Sequence, residues 1–211
     1  MNKKIIALAF LAACRGSAFG GTPNAALSLG EAAEDLADAC SLGKTADARR
    51  FLAAAEAGAR RIAAVSEPGG RIDASLALTD DLLGRARELC AHGASASGAL
   101  AANQLTLVAL ELEPPSAELT RRLVWFDYLA TDIALRAKRS GPDDHAVVER
   151  RAQSLTALWS VLRPGFATHV KLVADGDALA GELARPAKAS ERARHGAKAA
   201  DFVDELEKAG Q

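Results

Sequence analysis

The residues best suited to chemistry in this chain lie close together, within the stretch 123–135. Trp125, Asp127, Tyr128 and Asp132 bring carboxylates and polar-tipped aromatic rings within two turns of a predicted helix. Apolar residues line two opposite sides of that helix, as is typical of a helix enclosed in its domain. A carboxylate buried there must be paired, hydrogen-bonded or protonated. One interpretation is a polar pocket around a ligand. The other, which we favour, is that both aspartates pair with arginines of adjacent helices.

Other reactive side chains are too scattered to indicate a site. His145 and Glu149 could share one helical face, but a catalytic zinc needs three protein ligands. The segment 93–98 is one residue off the glycine–serine pattern of a nucleophile elbow and lies between predicted helices, so we interpret it as a linker. We therefore predict no catalytic residues, no metal and no cofactor.

The chain has 3 cysteines, and two of them are placed to form a disulfide. Cys40 and Cys90 each come three residues before a glycine, Gly43 and Gly93, that should end a helix. The two helices should run parallel because a third runs back between them. Both cysteines then reach the same end of the bundle, where a disulfide needs Cα atoms roughly 4.4–6.8 Å apart. The alternative is two reduced cysteines in the core.

The N-terminus has the pattern of an export signal. Lys3 and Lys4 precede the apolar run 5–10, which is too short to be a permanent spanning helix. The next four residues resemble the lipobox of bacterial lipoproteins: Leu11, Ala12, Ala13 and Cys14. The resemblance implies cleavage before Cys14, a lipid on its thiol, and a protein held to a membrane at the periplasmic or cell surface.

A second interpretation of the same segment stays open. Ala18 and Gly20 are small residues at the positions that an ordinary signal-peptide site requires, with cleavage after Gly20. The signal would then be 1–20, Cys14 would be discarded with it, and the protein would be soluble in the periplasm or secreted.

Composition favours helices and argues against nucleic acid as a partner. Aromatic residues make up only 4% of the chain, while alanine and leucine are abundant and β-branched residues sparse. The formal net charge is −1, so no basic excess exists to neutralise phosphates.

The helix signals predict an all-α fold, an antiparallel bundle of about six to eight helices, preceded by a signal peptide and a short flexible tether. The first six helices are expected over 29–42, 46–65, 72–92, 98–112, 117–139 and 144–163. The chain divides into an export signal (1–13), a tether (14–27), the bundle (28–175) and a weakly packed helical segment (176–211), with a turn at Asp175-Gly176-Asp177.

The fifth and sixth helices should form a hairpin about Gly141-Pro142. Counting outward from that turn places Asp132 level with Arg151, and Trp125 level with Trp159. The first pair is a plausible ion pair, and the second would put both indoles in one layer.

These features together indicate a membrane-tethered envelope protein that acts without catalysis, by binding or assembly with an unknown protein or other envelope macromolecule. One alternative is a periplasmic helical bundle that binds a small molecule near the fifth helix. Another is an enzyme with dispersed acidic residues, Asp127 and Asp132 being the best candidates.

Overall fold

The computed structural model describes residues 22–65, 71–112 and 118–210. These residues form eight α-helices and contain no strand, which confirms the predicted all-α antiparallel bundle. The helices are α1 (Thr22–Ser41), α2 (Thr45–Val65), α3 (Arg71–Cys90), α4 (Ala96–Leu112), α5 (Glu118–Arg139), α6 (Pro142–Leu162), α7 (Val170–Leu183) and α8 (Ala189–Ala209).

The helices pack as two groups of four. α1–α4 surround one core that consists mainly of alanine and leucine. α5–α8 surround a second core, which holds the larger aromatic side chains Phe126, Trp159, Phe166 and Phe202. α4 packs against α5 and joins the groups, with Leu135 of α5 reaching into the first core. α1 and α2 approach closely in this core, where a Cβ on Gly58 would lie 3.3 Å from the Cα of Leu29.

Consecutive helices are antiparallel, as their short connections require. Arg121 near the start of α5 donates to the backbone oxygen of Leu110 near the end of α4, at 3.2 Å. A Cβ on Gly210, just after α8, would lie 3.6 Å from Leu119 at the start of α5. The odd-numbered helices therefore begin at the end of the molecule where the even-numbered helices finish. We call this the entry end, because α1 begins there.

The predicted disulfide is confirmed. Cys40 and Cys90 are bonded at the opposite end of the first group, with their Cα atoms 5.2 Å apart. The backbone N–H of Ser95 donates to the oxygen of Cys40 at 3.0 Å. The hydroxyl of Ser95 accepts from the N–H of Gly98 at 3.0 Å, so the predicted linker ends in the N-cap of α4.

The first helix starts earlier than predicted. α1 begins at Thr22, so residues 22–27 of the expected tether are helical. A proline at position 23 costs no hydrogen bond in a first helical turn, and Ala25 and Ala26 are buried in the core. Cys14 and the export signal lie outside the described residues.

The predicted turn at Asp175-Gly176-Asp177 is wrong, because these residues lie in the middle of α7. The ring of Trp159 packs on Gly176, where a Cβ would lie only 2.2 Å from its Cζ2 atom. The indole N–H of Trp159 donates to Asp177 at 3.0 Å. The residues that locally suggest a turn instead form the surface against which the Trp159 side chain of α6 packs.

The expectation of a weakly packed segment at 176–211 is also wrong. α8 lies against α5 so closely that a Cβ on Gly196 would be 2.6 Å from the backbone nitrogen of Ala134. Phe202, Val203 and Leu206 are buried in the second core. Despite its many charges, α8 places its apolar residues at helical spacing on one face, and that face is buried.

Candidate functional site

The α5–α6 hairpin turns where the sequence predicts and carries the polar residues of interest. Asp144 accepts from the backbone N–H of Gly141 at 3.1 Å, which closes a capping box at the start of α6. Pro142 occupies the first turn of α6, and Ser140 before it takes the left-handed conformation with φ 53°. This turn sets the register between the two helices.

Asp132 is the centre of a buried ion-pair network. Its side chain is fully buried, and its Oδ2 accepts from Nε of Arg136 at 2.9 Å and from Nε of Arg151 at 3.2 Å. The predicted Asp132–Arg151 pair is therefore confirmed. The other carboxylate oxygen, Oδ1, is buried without a hydrogen-bond partner.

Tyr128 joins this network one turn earlier on α5. Its hydroxyl accepts from Arg151 at 3.2 Å, and the Arg151 guanidinium lies 5.4 Å from its ring centroid. Asn103 of α4, itself buried, donates to the Tyr128 backbone oxygen at 3.2 Å, which ties the first group of helices to the second. Burial, together with the charge of Asp132, raises the pKa of the Tyr128 phenol.

Asp144 closes the network at the hairpin turn. It is buried, and both of its carboxylate oxygens accept hydrogen bonds from Arg139. Its Oδ1 also accepts from Arg136 at 3.2 Å. The hydrogen bonds from Arg139 hold the pKa of Asp144 below its ordinary value, and the Gly141 N–H lowers it further. Arg136 thus bridges Asp132 and Asp144.

The four residues of the predicted pocket do not line a common cavity. Trp125 is 40% exposed and meets Tyr128 edge to face, with ring centroids 5.6 Å apart. Asp127 is half-buried, close enough to Glu34 of α1 for the two charges to repel. Tyr128 and Asp132 point into the network, whereas Trp125 points to the surface.

The two tryptophans have different environments. Trp159 is buried and packs edge to face on Phe202 at 5.4 Å, whereas Trp125 lies at the surface. The Asp132–Arg151 contact agrees with the register between α5 and α6 from which we predicted that the two indoles lie in one layer. That layer stays a prediction.

Sequence reasoning missed Arg192, the largest fully buried side chain of the described part of the chain. It pairs with Glu149 of α6 through two hydrogen bonds, at 2.8 and 2.6 Å. It also donates to the backbone oxygens of Leu183, the last residue of α7, and of Arg185, just after the helix. In the sequence, Arg192 comes four residues before Gly196 and seven before Ala199. This helical spacing places it on the buried face of α8, and it is the sequence pattern that indicates its burial.

The ion-pair network can hold the helices in place and balance buried charge.

Across residues 22–65, 71–112 and 118–210, no three His, Cys, Asp or Glu side chains are grouped to hold a metal ion. None of the helices in these ranges has the length and apolar character needed to cross a bilayer.

No protein-family model matches this chain, and neither a curated protein nor a solved structure resembles it at a significant level.

Proposed function

We propose that this protein is a lipid-anchored component of the bacterial envelope that acts without catalysis, by binding or assembly with a macromolecular partner. The sequence Leu11-Ala12-Ala13-Cys14, after a charged and then apolar segment, supports export and lipidation. The acyl chains on Cys14 would then supply the membrane attachment.

The Cys40–Cys90 disulfide supports an oxidising compartment. Its Cα separation of 5.2 Å falls in the usual range for disulfides, so the fold accommodates the bond without moving the helices. Disulfides of this kind persist outside the reducing cytoplasm. A periplasmic or surface location agrees with the export signal.

The observation that carries the non-catalytic part is the pairing of Asp132. A ligand pocket around α5 requires Trp125, Tyr128 and Asp132 to face one cavity. Instead, Arg136 and Arg151 hold the Asp132 carboxylate, and the Trp125 indole lies at the surface. This placement favours a supporting role over binding of a small molecule or acid–base work.

Mass spectrometry of the membrane fraction tests the anchor. We expect a mature N-terminus at Cys14 that carries added acyl mass, and a Cys14→Ser variant that lacks it. A soluble form that begins at Gly21 would contradict the proposal and support the ordinary signal peptide.

Crosslinking in intact cells tests the partner. We expect the acylated protein to crosslink to a specific envelope macromolecule, recovered after membrane solubilisation. Turnover of a small substrate by the purified protein, lost in Asp132→Asn while the fold is kept, would contradict the non-catalytic assignment.

A further inference from the structure

The entry end of the molecule carries an unusual share of exposed apolar side chains. Val170, the first residue of α7, is 78% exposed, and Val161, next to the last residue of α6, is 49% exposed. Ile72 and Leu119, each the second residue of its helix, are both 37% exposed. Trp125 lies two turns into α5 from the same end.

The rest of the described surface is different. Leu42 and Leu89 are the large exposed apolar residues at the opposite end, whereas Leu78 lies two turns into α3 from the entry end, as deep as Trp125 in α5. Single exposed apolar residues are ordinary, but a group of them at one end indicates a surface that contacts something.

The proposed lipid anchor at Cys14 would place a membrane close to this end. Eight residues lead from Cys14 to Thr22, where α1 begins. A fully extended chain of that length spans at most about 29 Å, at roughly 3.6 Å per residue. If acyl chains hold Cys14 at the bilayer surface, the entry end is held within that distance of the same bilayer.

The charges at this end indicate how it would meet a membrane. Three of its basic side chains pair with neighbouring carboxylates, Arg122 with Glu118, Arg163 with Asp177 and Lys171 with Asp175, and further basic side chains are exposed there at Arg60, Arg61 and Lys208. Acidic residues of the same end, such as Glu111 and Glu205, balance these charges, so the end has no basic excess to attract anionic headgroups. Apolar insertion therefore supplies the attraction, and an indole such as that of Trp125 suits the boundary between headgroups and acyl chains.

We infer that the entry end is a membrane-contacting surface, in which Val170, Val161, Leu119 and Trp125 enter the interfacial layer of the bilayer that holds the anchor. This inference rests on the proposed lipid attachment at Cys14. It adds an orientation: the entry end faces the lipid, and the disulfide end with Cys40 and Cys90 faces away.

The 2 tryptophans of the chain make a direct test possible. The mature acylated protein is reconstituted in vesicles of phosphatidylcholine and phosphatidylglycerol, with and without brominated acyl chains that quench indole fluorescence. In Trp159→Phe, where Trp125 is the only indole, we expect loss of roughly half of the emission, because interfacial indoles lie near the acyl chains. In Trp125→Phe, the buried Trp159 should keep its emission.

A matched pair of variants tests the surface itself. In the Trp159→Phe background, Val170→Asp should reduce the quenching, since a charge at the apolar boundary opposes insertion. Leu42→Asp adds the same charge at a similarly exposed residue of the opposite end and should leave the quenching unchanged. Circular dichroism checks that each variant keeps its helices. Equal effects of the two aspartates would overturn the inference.

The outcomes separate this inference from the proposed function. Acylated protein with unquenched Trp125 overturns the membrane surface and leaves the anchor in place. Unquenched Trp125 in a protein that light scattering shows to be dimeric also overturns it, with a second copy as the occupant. Protein without acyl mass at Cys14 overturns the proposed function and removes the basis for this orientation.

Discussion

Asp132 is a buried charge that depends on its surroundings. A carboxylate with no exposed surface loses its water, and only the hydrogen bonds of Arg136 and Arg151 offset that loss. Both arginines in turn depend on Asp132, since neither is fully exposed. The network is therefore sensitive to loss of any one member.

Replacing the central carboxylate should be costly. We expect Asp132→Asn to lower the free energy of unfolding by about 3 kcal/mol, at the low end for a broken buried pair because Arg136 and Arg151 keep some contact with water. Chemical denaturation measures the change. The control is Asp81→Asn on α3, whose pair with Arg85 is exposed and should be worth less than about 1 kcal/mol. Equal losses in the two variants would contradict the buried-pair argument.

We expect the contribution of Asp144 to the free energy of unfolding to be lost as the pH is lowered. Because Arg139 holds its folded-state pKa below the ordinary value, its contribution is present above about pH 4 and is lost as the pH falls through the folded pKa. In Asp144→Asn that contribution is absent at every pH. The difference in unfolding free energy between wild type and variant should therefore shrink from neutral pH towards pH ~2, as followed by denaturation at a series of pH values.

Glu207 on α8 provides a control of opposite sign. Burial, reinforced by the nearby charge of Asp204, raises the pKa of Glu207, so its charged form opposes folding at neutral pH. Glu207→Gln should raise the free energy of unfolding at neutral pH, and the gain should vanish in acid. A loss of stability at neutral pH in this variant would contradict the assignment.

At the scale of elements, the closeness of α5 and α8 depends on one glycine. A Cβ on Gly196 would lie 2.6 Å from the Ala134 nitrogen and 2.7 Å from the Ala130 oxygen, and neither backbone atom can rotate away. The missing side chain lets α8 approach α5 closely enough to bury its apolar face despite its many charges. This close contact also explains why the local pattern of α8 underestimates its burial.

Alanine at Gly196 should force the two helices apart. We expect Gly196→Ala to lower the free energy of unfolding by about 1–3 kcal/mol, as overpacking does. Gly84→Ala on α3 is the matched control, since nothing lies within 4 Å of its Cβ position. That variant should gain about 0.5–1 kcal/mol from helix propensity. A Gly196→Ala protein as stable as wild type in thermal and chemical unfolding would show that the helices can separate without cost.

At the scale of the whole molecule, two cores share one chain, and the main packed boundary between them is α4 against α5. The disulfide links α1 to α3, within the first group. The second group has no such link among the described residues and relies on the networks of Asp132 and Arg192. The two groups should therefore respond differently when the disulfide is removed.

Removal of the disulfide should loosen one group selectively. The Cys40→Ala, Cys90→Ala double variant loses a link across 50 residues, worth about 4 kcal/mol on the chain-entropy model. We expect hydrogen exchange to show lost protection in α1–α4 and largely retained protection in α5–α8. Non-reducing peptide mapping of the wild type checks the bond beforehand. Equal loss in both groups would mean that the molecule unfolds as one unit.

Local chemistry determined much of the fold from the sequence alone. Glycines and prolines such as Gly43 and Pro142 act on the backbone within a few residues, so the positions of most helices follow from them. The Cys40–Cys90 bond and the Asp132–Arg151 pair were also predictable, because short turns make helices antiparallel and counting then gives the register.

Only the tertiary structure decided the features that depend on distant residues. Gly176 belongs to a helix because Trp159, on another helix, packs where its side chain would be, and Arg192 is buried because α6 and α7 supply its partners. The same holds for the candidate site: the spacing of Trp125, Tyr128 and Asp132 suggested a pocket, but their surroundings separate them into surface and core. A sequence pattern reports which face of a helix is apolar, whereas what covers that face is fixed by packing across the whole chain.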